Sequence, residues 1–378
     1  MKNKSIAILL CVALTNLCFS QSKEHKQGAQ NAQILPAAKI EKIEAAITDW
    51  MTKSKAPALS VAIVTDNRMR WSKGYGLADL ENSVPAKADT AYRLASIAKS
   101  ITAVAVMQLV ERGKLALNAP INRYCAAYPE KQSLKDASDR QFSITVRQLL
   151  VHQSGVRHNK LDEILTTRHY SSITEAVGSF KDDPLVVEPE TKYSYSTPGY
   201  ALLGCAIETV SGMSYIDYLR ENILKPAGMT RTFVDDVYAI IPNRARGYRK
   251  TLAGEVQNAP LHDTSIKIPG GGLVTTAEDV AKFAIALNTN QLVKPETLAL
   301  MWTKPKTRDG KEQDYGMGVL IANWGSVLRI TNDGSQAGTR TYLILIPQKG
   351  LAVAMMTNLE RASCEEIVPK IIEALAEK

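Results

Sequence analysis

Residues 92–110 read YRLASIAKSITAVAVMQLV, and this stretch decides how the rest of the chain is arranged. From Ser96 onward it is apolar nearly all round, with Ile97, Ile101, Val104, Val106, Met107 and Leu109 leaving no polar face. A helix of that kind is buried, and Gly113, just past its last periodic residues, can cap it. Ser96 and Lys99 stand three residues apart on this helix and share one face. An unpaired charge at Lys99 is costly in such surroundings. A serine hydroxyl is a poor nucleophile until a neighbour takes its proton. A lysine can take it once burial or nearby positive charge lowers its pKa. The positive end of the helix also favours a developing oxyanion. Ser96 is therefore the candidate nucleophile and Lys99 its candidate base. Ser-x-x-Lys alone is a weak pattern, and Ser20-Gln21-Ser22-Lys23 matches it as well. The apolar helix around Lys99 separates the two.

On the N-terminal side, Ile40, Ile43, Ile47 and Trp50 recur at helical spacing, and Pro57 ends that helix. Leu59 to Thr65 and Arg68 to Gly74 read as two strands joined at Asp66-Asn67, a hairpin signal. Residues 115–260 read as helices and long loops, clearest from Thr197 to Val210 and from Met213 to Leu224. Gly270-Gly271-Gly272 is a sharp break, after which Thr275 with Glu278 forms a capping-box signal for a helix through Leu287. Gly318–Ala322, Val327–Thr331, Arg340–Pro347 and Leu351–Asn358 are strand-like, and a last helix follows from Glu366. This order predicts an α+β fold: a sheet flanked by N- and C-terminal helices, with a mostly helical domain inserted. The expected division is 37–90 with 270–378 as the α/β domain, and 91–269 as the helical domain carrying the nucleophile helix.

Composition sets the compartment and excludes some partners. Residues 1–20 read as a secretory leader, with Lys2 and Lys4 first, an apolar run from Ile6 to Phe19, and Cys18 and Ser20 before a cut at Gln21. The expected location is the periplasm or the extracellular space; the lead-in Thr15-Asn16-Leu17 to Cys18 argues against a lipoprotein. Residues 21–36 are polar and Gln-rich, a flexible lead-in. The formal net charge is +8, but its Lys and Arg are scattered and form no stripe interleaved with aromatics, so nucleic acid is not an expected partner. Beyond the leader, Cys125, Cys205 and Cys364 are odd in number and widely spaced. They read as partly buried thiols, with one disulfide left open, and no metal site has the right spacing.

Two further elements carry chemistry. Tyr193-Ser194-Tyr195-Ser196-Thr197 precedes Pro198-Gly199-Tyr200, and Tyr195 facing Lys99 could shuttle a proton to a leaving group. Asn332-Asp333-Gly334-Ser335 lies between two strand-like runs; Gly334 lets a substrate approach the backbone, and the Ser335 N–H is a candidate oxyanion donor beside that of Ser96. Other chemistries lack candidates: Gly-x-Ser-x-Gly, His-Glu-x-x-His and the phosphate loop are all absent. His152 reads as a structural turn residue, and His158, His169 and His262 have no obvious partners.

Taken in order, Ser96-x-x-Lys99, Tyr195-Ser196-Thr197 and Asn332-Asp333-Gly334-Ser335 resemble the three motifs of serine β-lactamases and penicillin-binding proteins. Tyr92 to Ser100, Leu149 to Val156, Gly270 to Phe283 and Pro347 to Asn358 resemble segments of the class C-like branch. Within that branch, Ser154 to His158, Phe180 to Leu185, Tyr195 to Tyr200 and Asn243 to Arg246 resemble the mitochondrial serine β-lactamase-like proteins and their bacterial relatives. The resemblance spans about residues 40–375. It implies a β-lactamase/transpeptidase-like fold with an antiparallel sheet, and acyl-enzyme chemistry at Ser96 without cofactor or metal. It implies a hydrolase cleaving a small-molecule or peptide substrate at a peptide, amide or ester bond, which together with the leader reads as an exported enzyme. The nearest alternative is a true β-lactamase or D-Ala-D-Ala carboxypeptidase. The alternative of another kind is a non-catalytic relative that binds peptidoglycan or forms oligomers. Thr197 and Asn332 stand where the family often has Asn and usually has Lys or His. Thr197, Asn332, Gly334 and Ser335 are then the substrate-side residues. Asn332 is uncharged at any ordinary pH, which predicts a preference for neutral esters or amides over substrates with a carboxylate. Arg340 is the strand residue that could restore the charge, although a strand arginine is more often simply exposed.

Overall fold

The computed structural model describes residues 35–132 and 141–377. The expected leader, nearly all of the lead-in and the Ser20–Lys23 pattern lie outside the described residues. Helix α1 (Ala37–Ser54) buries Ile43, Ala46, Ile47 and Trp50, the stripe its spacing requires, and stops at Lys55 in the left-handed region. Strands β1 (Ala58–Thr65) and β2 (Arg68–Asp79) form a hairpin whose turn residues, Asp66 (φ 52°) and Asn67 (φ 55°), are both left-handed. Paired left-handed residues match the right-handed twist of the flanking strands. A short β3 (Val84–Pro85) follows β2. The C-terminal third supplies β4 (Leu320–Trp324), β5 (Val327–Gln336), β6 (Thr339–Ile346) and β7 (Leu351–Thr357).

These strands make one antiparallel seven-stranded sheet in the order β4-β5-β6-β7-β1-β2-β3. The two ends of the chain meet where β7 pairs with β1, Leu59 opposite Thr357 and Val64 opposite Ala352. Both strands are covered on both faces, which is why they read as continuous apolar runs. Leu59, Val61, Ile63, Val353 and Met355 point to one core, shared with α1 and a C-terminal helix over Val368–Ala376. Ala58, Ala62, Val64, Ala352, Ala354 and Met356 point to the other, the alternation that strand geometry imposes. That second core contains helix α2 (Ala98–Glu111), buried from Ala98 to Leu109, helix α3 (Pro198–Ser211), and helix α4 (Ala277–Asn288).

Four local expectations are corrected or refined. The N-cap of α4 is Thr276, whose hydroxyl accepts from the Asp279 N–H at 3.1 Å, while Thr275 ends a short strand and Glu278 accepts from the Ser72 hydroxyl. Adjacent threonines offer the same pattern one residue apart, and the pairing of Leu273–Thr275 with neighbouring strands chooses between them. The helix expected over Met213–Leu224 is present from Tyr215, as an α-helix over Tyr215–Leu219 that widens into a π-helix over Arg220–Leu224. Asn332-Asp333-Gly334-Ser335 does not lie between two strands but continues β5, paired residue for residue with Leu343 to Arg340 of β6. Cys125 and Cys205 are not thiols: they form a disulfide with Cα atoms 5.5 Å apart and a separation of 80 residues in sequence. Only the packing of α3 against the segment after α2 reveals that pair. In the chain-entropy picture, closing a loop of that length stabilises by about 4.5 kcal/mol. Cys364 is the free thiol among the described residues, and it is buried.

Candidate active site

Ser96 sits on a tight turn, Ala95–Ile97, that leads into α2. Ala95 is left-handed (φ 53°), a conformation that costs roughly 1–3 kcal/mol in a residue with a Cβ and persists only where its surroundings enforce it. Strand β6 enforces it here. The hydroxyls of Thr339 and Thr341 donate to the carbonyls of Arg93 and Leu94 at 3.1 and 2.9 Å. Gly334 on β5 allows the close approach: a Cβ there would lie 2.6 Å from the Leu94 carbonyl and 2.2 Å from the Thr341 hydroxyl. The third motif is thus pressed against the turn that presents Ser96.

Lys99 lies one helical turn on and is completely buried. Its Nζ is 3.3 Å from Ser96 Oγ, 3.1 Å from Thr197 Oγ1 and 2.6 Å from the Gly270 carbonyl. Burial, and then the nearby positive charge of Lys267, hold its pKa well below the usual lysine value, against a smaller opposing effect of Asp333. A neutral amine has two N–H donors and one lone pair. Gly270 and Thr197 can take the two donors, which leaves the lone pair for the Ser96 proton. The Tyr195 hydroxyl donates to Ser96 Oγ at 2.8 Å from the other side, and burial pushes its pKa up, so it stays a phenol.

Two histidines hold the segment that carries Tyr195. The Ser196 and Thr197 N–H groups donate to Nδ1 of His152 and of His158, each at 3.2 Å. The His152 ring also packs on that of Tyr195, centroids 4.3 Å apart. Burial, with Lys99 adding to it, holds both imidazoles neutral, His158 down to about 4 and His152 well below its usual value. His152 itself lies in a turn, with a left-handed backbone (φ 56°). His158 has the partner that its sequence neighbourhood did not reveal. His169 and His262 are also partnered, by Asp263 and Arg93.

The remaining expected residues meet at the same place with a different division of labour. Asn332 is buried, but its amide donates to Ser100 Oγ at 2.7 Å and to the Gly318 carbonyl at 2.9 Å; both N–H groups are used inside the protein and are not free for a substrate. Thr197 is a partner of Lys99. Ser335 is exposed on the cavity wall. Arg340 is not an exposed spare cation: it pairs with Asp333 at 2.8 Å and with Glu365 at 3.1 Å. A cavity of about 370 Å³ joins these groups, lined by Ser96, Tyr195, Asn332 and Ser335 together with His158 and Lys267. Lys267 was missed in the sequence; its one signal is a charge between Ile266 and Ile268, just ahead of the Gly270 break. A larger cavity of about 650 Å³, walled by Arg93, Arg244 and Arg246, has no serine or lysine in its lining. Ser96 and Tyr195 line the smaller one.

The Beta-lactamase family description matches residues 43–375. The human "Serine beta-lactamase-like protein LACTB, mitochondrial" is 28% identical over 84% of this chain and 76% of its own length. The octameric penicillin-binding protein homologue from Pyrococcus abyssi superposes with a TM-score of 0.75 at 28% identity, over 89% of this chain and 77% of that one. The D-amino acid amidase from Ochrobactrum anthropi SV3, crystallised with L-phenylalanine amide, superposes at 0.74 with 25% identity, over 89% and 98%.

Proposed function

The chain belongs to the Beta-lactamase family, and from that premise we propose that it is an exported serine hydrolase that works through an acyl-enzyme on Ser96. Its substrate is a small molecule or peptide cleaved at an amide, peptide or ester bond. One observation carries the reading: Ser96 Oγ lies between the Lys99 amine and the Tyr195 phenol, at 3.3 and 2.8 Å. Ser96 Oγ attacks the carbonyl as its proton passes to Lys99, whose lowered pKa leaves it able to accept. The backbone N–H groups of Ser96 and Ser335 hold the oxyanion, and such donors are worth most in a site that excludes water. Tyr195 then relays the proton to the leaving group, and water releases the acyl group. The amidase among the relatives supports an amide as substrate class, and the octameric relative supports assembly into oligomers. Intact-mass measurement after exposure to a fluorophosphonate, and separately to a penicillin, tests the reading. A single fluorophosphonate adduct at Ser96 is expected. A lasting penicillin adduct favours the penicillin-binding alternative, and no adduct with either leaves a binding protein.

Export rests on the leader pattern and on the Cys125–Cys205 disulfide, a bond that persists in oxidising compartments. Protein from the native host is expected to begin at Gln21 with that pair oxidised. Met1 retained in a cytosolic fraction, with both thiols alkylatable, would overturn export.

A further inference from the structure

The Ser96 cavity lacks a cation at its third motif, yet it has a cation. Lys267 lies in a turn just before Ile268–Gly271, the segment whose Gly270 carbonyl holds Lys99. The side chain is more than nine-tenths buried, lines the cavity, and has no hydrogen-bond or ion-pair partner among the described residues. The anions around it are already claimed. Asp235 is bound by Arg93 at 2.8 Å and also by Arg244, and Asp333 is bound by Arg340 at 2.8 Å. Its other titratable neighbours are Lys99, His158 and His262, of which the two imidazoles are neutral near pH 7. A buried ammonium with no counter-charge is costly, and that cost falls when a ligand brings the missing anion.

We propose that Lys267 is the carboxylate-binding residue of this cavity, so that the substrate carries a carboxylate on the part that enters beside Ser96. This placement rests on the Ser96 cavity being the substrate site. It reverses the preference for neutral substrates read from Asn332: the charge absent from position 332 is supplied by a different segment that lines the same cavity. Burial, and then Arg93, bring the Lys267 pKa down to about 8. The ammonium is present at neutral pH and is lost as the pH rises past that value.

The test reads binding without turnover, in Ser96→Ala protein, by titration calorimetry with N-phenylglutaramic acid and its uncharged carboxamide isostere. The acid is expected to bind more tightly than the isostere at pH 7. Adding Lys267→Met should cut that preference by about tenfold to a hundredfold, the scale of a charge-assisted hydrogen bond, whereas Lys267→Arg should keep most of it. At about pH 9.5 the preference should vanish with Lys267 and survive with Arg, which stays protonated there. The arginine protein and the pH series still decide the matter if the methionine protein does not fold. Equal affinity for the two ligands at pH 7, an equal loss of both in Lys267→Met, or no binding of the acid up to about ten millimolar overturns the proposal. Failure of Ser96-dependent ester hydrolysis in the unsubstituted protein sinks the hydrolase reading instead and leaves this binding result standing.

Discussion

Ser96→Ala is expected to abolish hydrolysis of an activated ester, by roughly 10⁴-fold or more, the scale seen when a covalent nucleophile is removed. The same substitution should remove labelling by a serine-hydrolase probe. Its effect on the thermal midpoint should be small. Ser96 Oγ is only partly buried, Lys99 keeps Thr197 and Gly270, and the strained turn at Ala95 is held by Thr339 and Thr341 without the Ser96 side chain. The decisive comparison is kcat/KM for a p-nitrophenyl ester in the two proteins, alongside peptide mapping of the labelled site. Near-normal turnover by the alanine protein, or a label on another serine, would sink the acyl-enzyme assignment.

Lys99→Arg is expected to cost at least about a hundredfold in kcat/KM, because arginine keeps the charge but cannot accept a proton. Arginine is also larger and must bury a permanent charge, so Lys99→Met provides a second variant of similar volume without the charge. Both should lose turnover if the amine acts as the base, whereas only the methionine protein should lose it if a positive charge is what matters. The pH profile separates the two further. In the unsubstituted protein the active form carries neutral Lys99, so kcat/KM should fall on the acid side as the amine is protonated. Because burial holds that pKa well below the ordinary lysine value, the fall should lie on the acid side of where a solvent-exposed lysine titrates. An arginine protein that retains near-normal hydrolysis would show Lys99 to be electrostatic only.

Much of the fold was legible because its signals are local. The Asp66-Asn67 hairpin, the stripe of α1, the all-apolar α2 and the apolar runs of β1 and β7 follow from periodicities that a backbone imposes over a few residues. Errors arose where neighbouring residues offered equivalent local solutions, as with Thr275 and Thr276. They also arose where a turn-like string was stretched by a partner strand: Asn332 to Ser335 has turn composition, but pairing with β6 makes it extended.

The candidate site divides along the same line. Ser96 and Lys99 were readable from the chain alone, because three residues of helix bring them onto one face and because a charge on an apolar helix demands an explanation. Tyr195 could be named but not placed. The structure alone decided what surrounds them: the histidines behind Tyr195, the disulfide between Cys125 and Cys205, the internal hydrogen bonds that occupy Asn332, the ion pairs that occupy Arg340, and the unpaired Lys267. Each depends on a contact between residues far apart in sequence. Such contacts leave no periodicity, because they are fixed by how whole elements pack and by which polar groups are left facing one another once water is excluded.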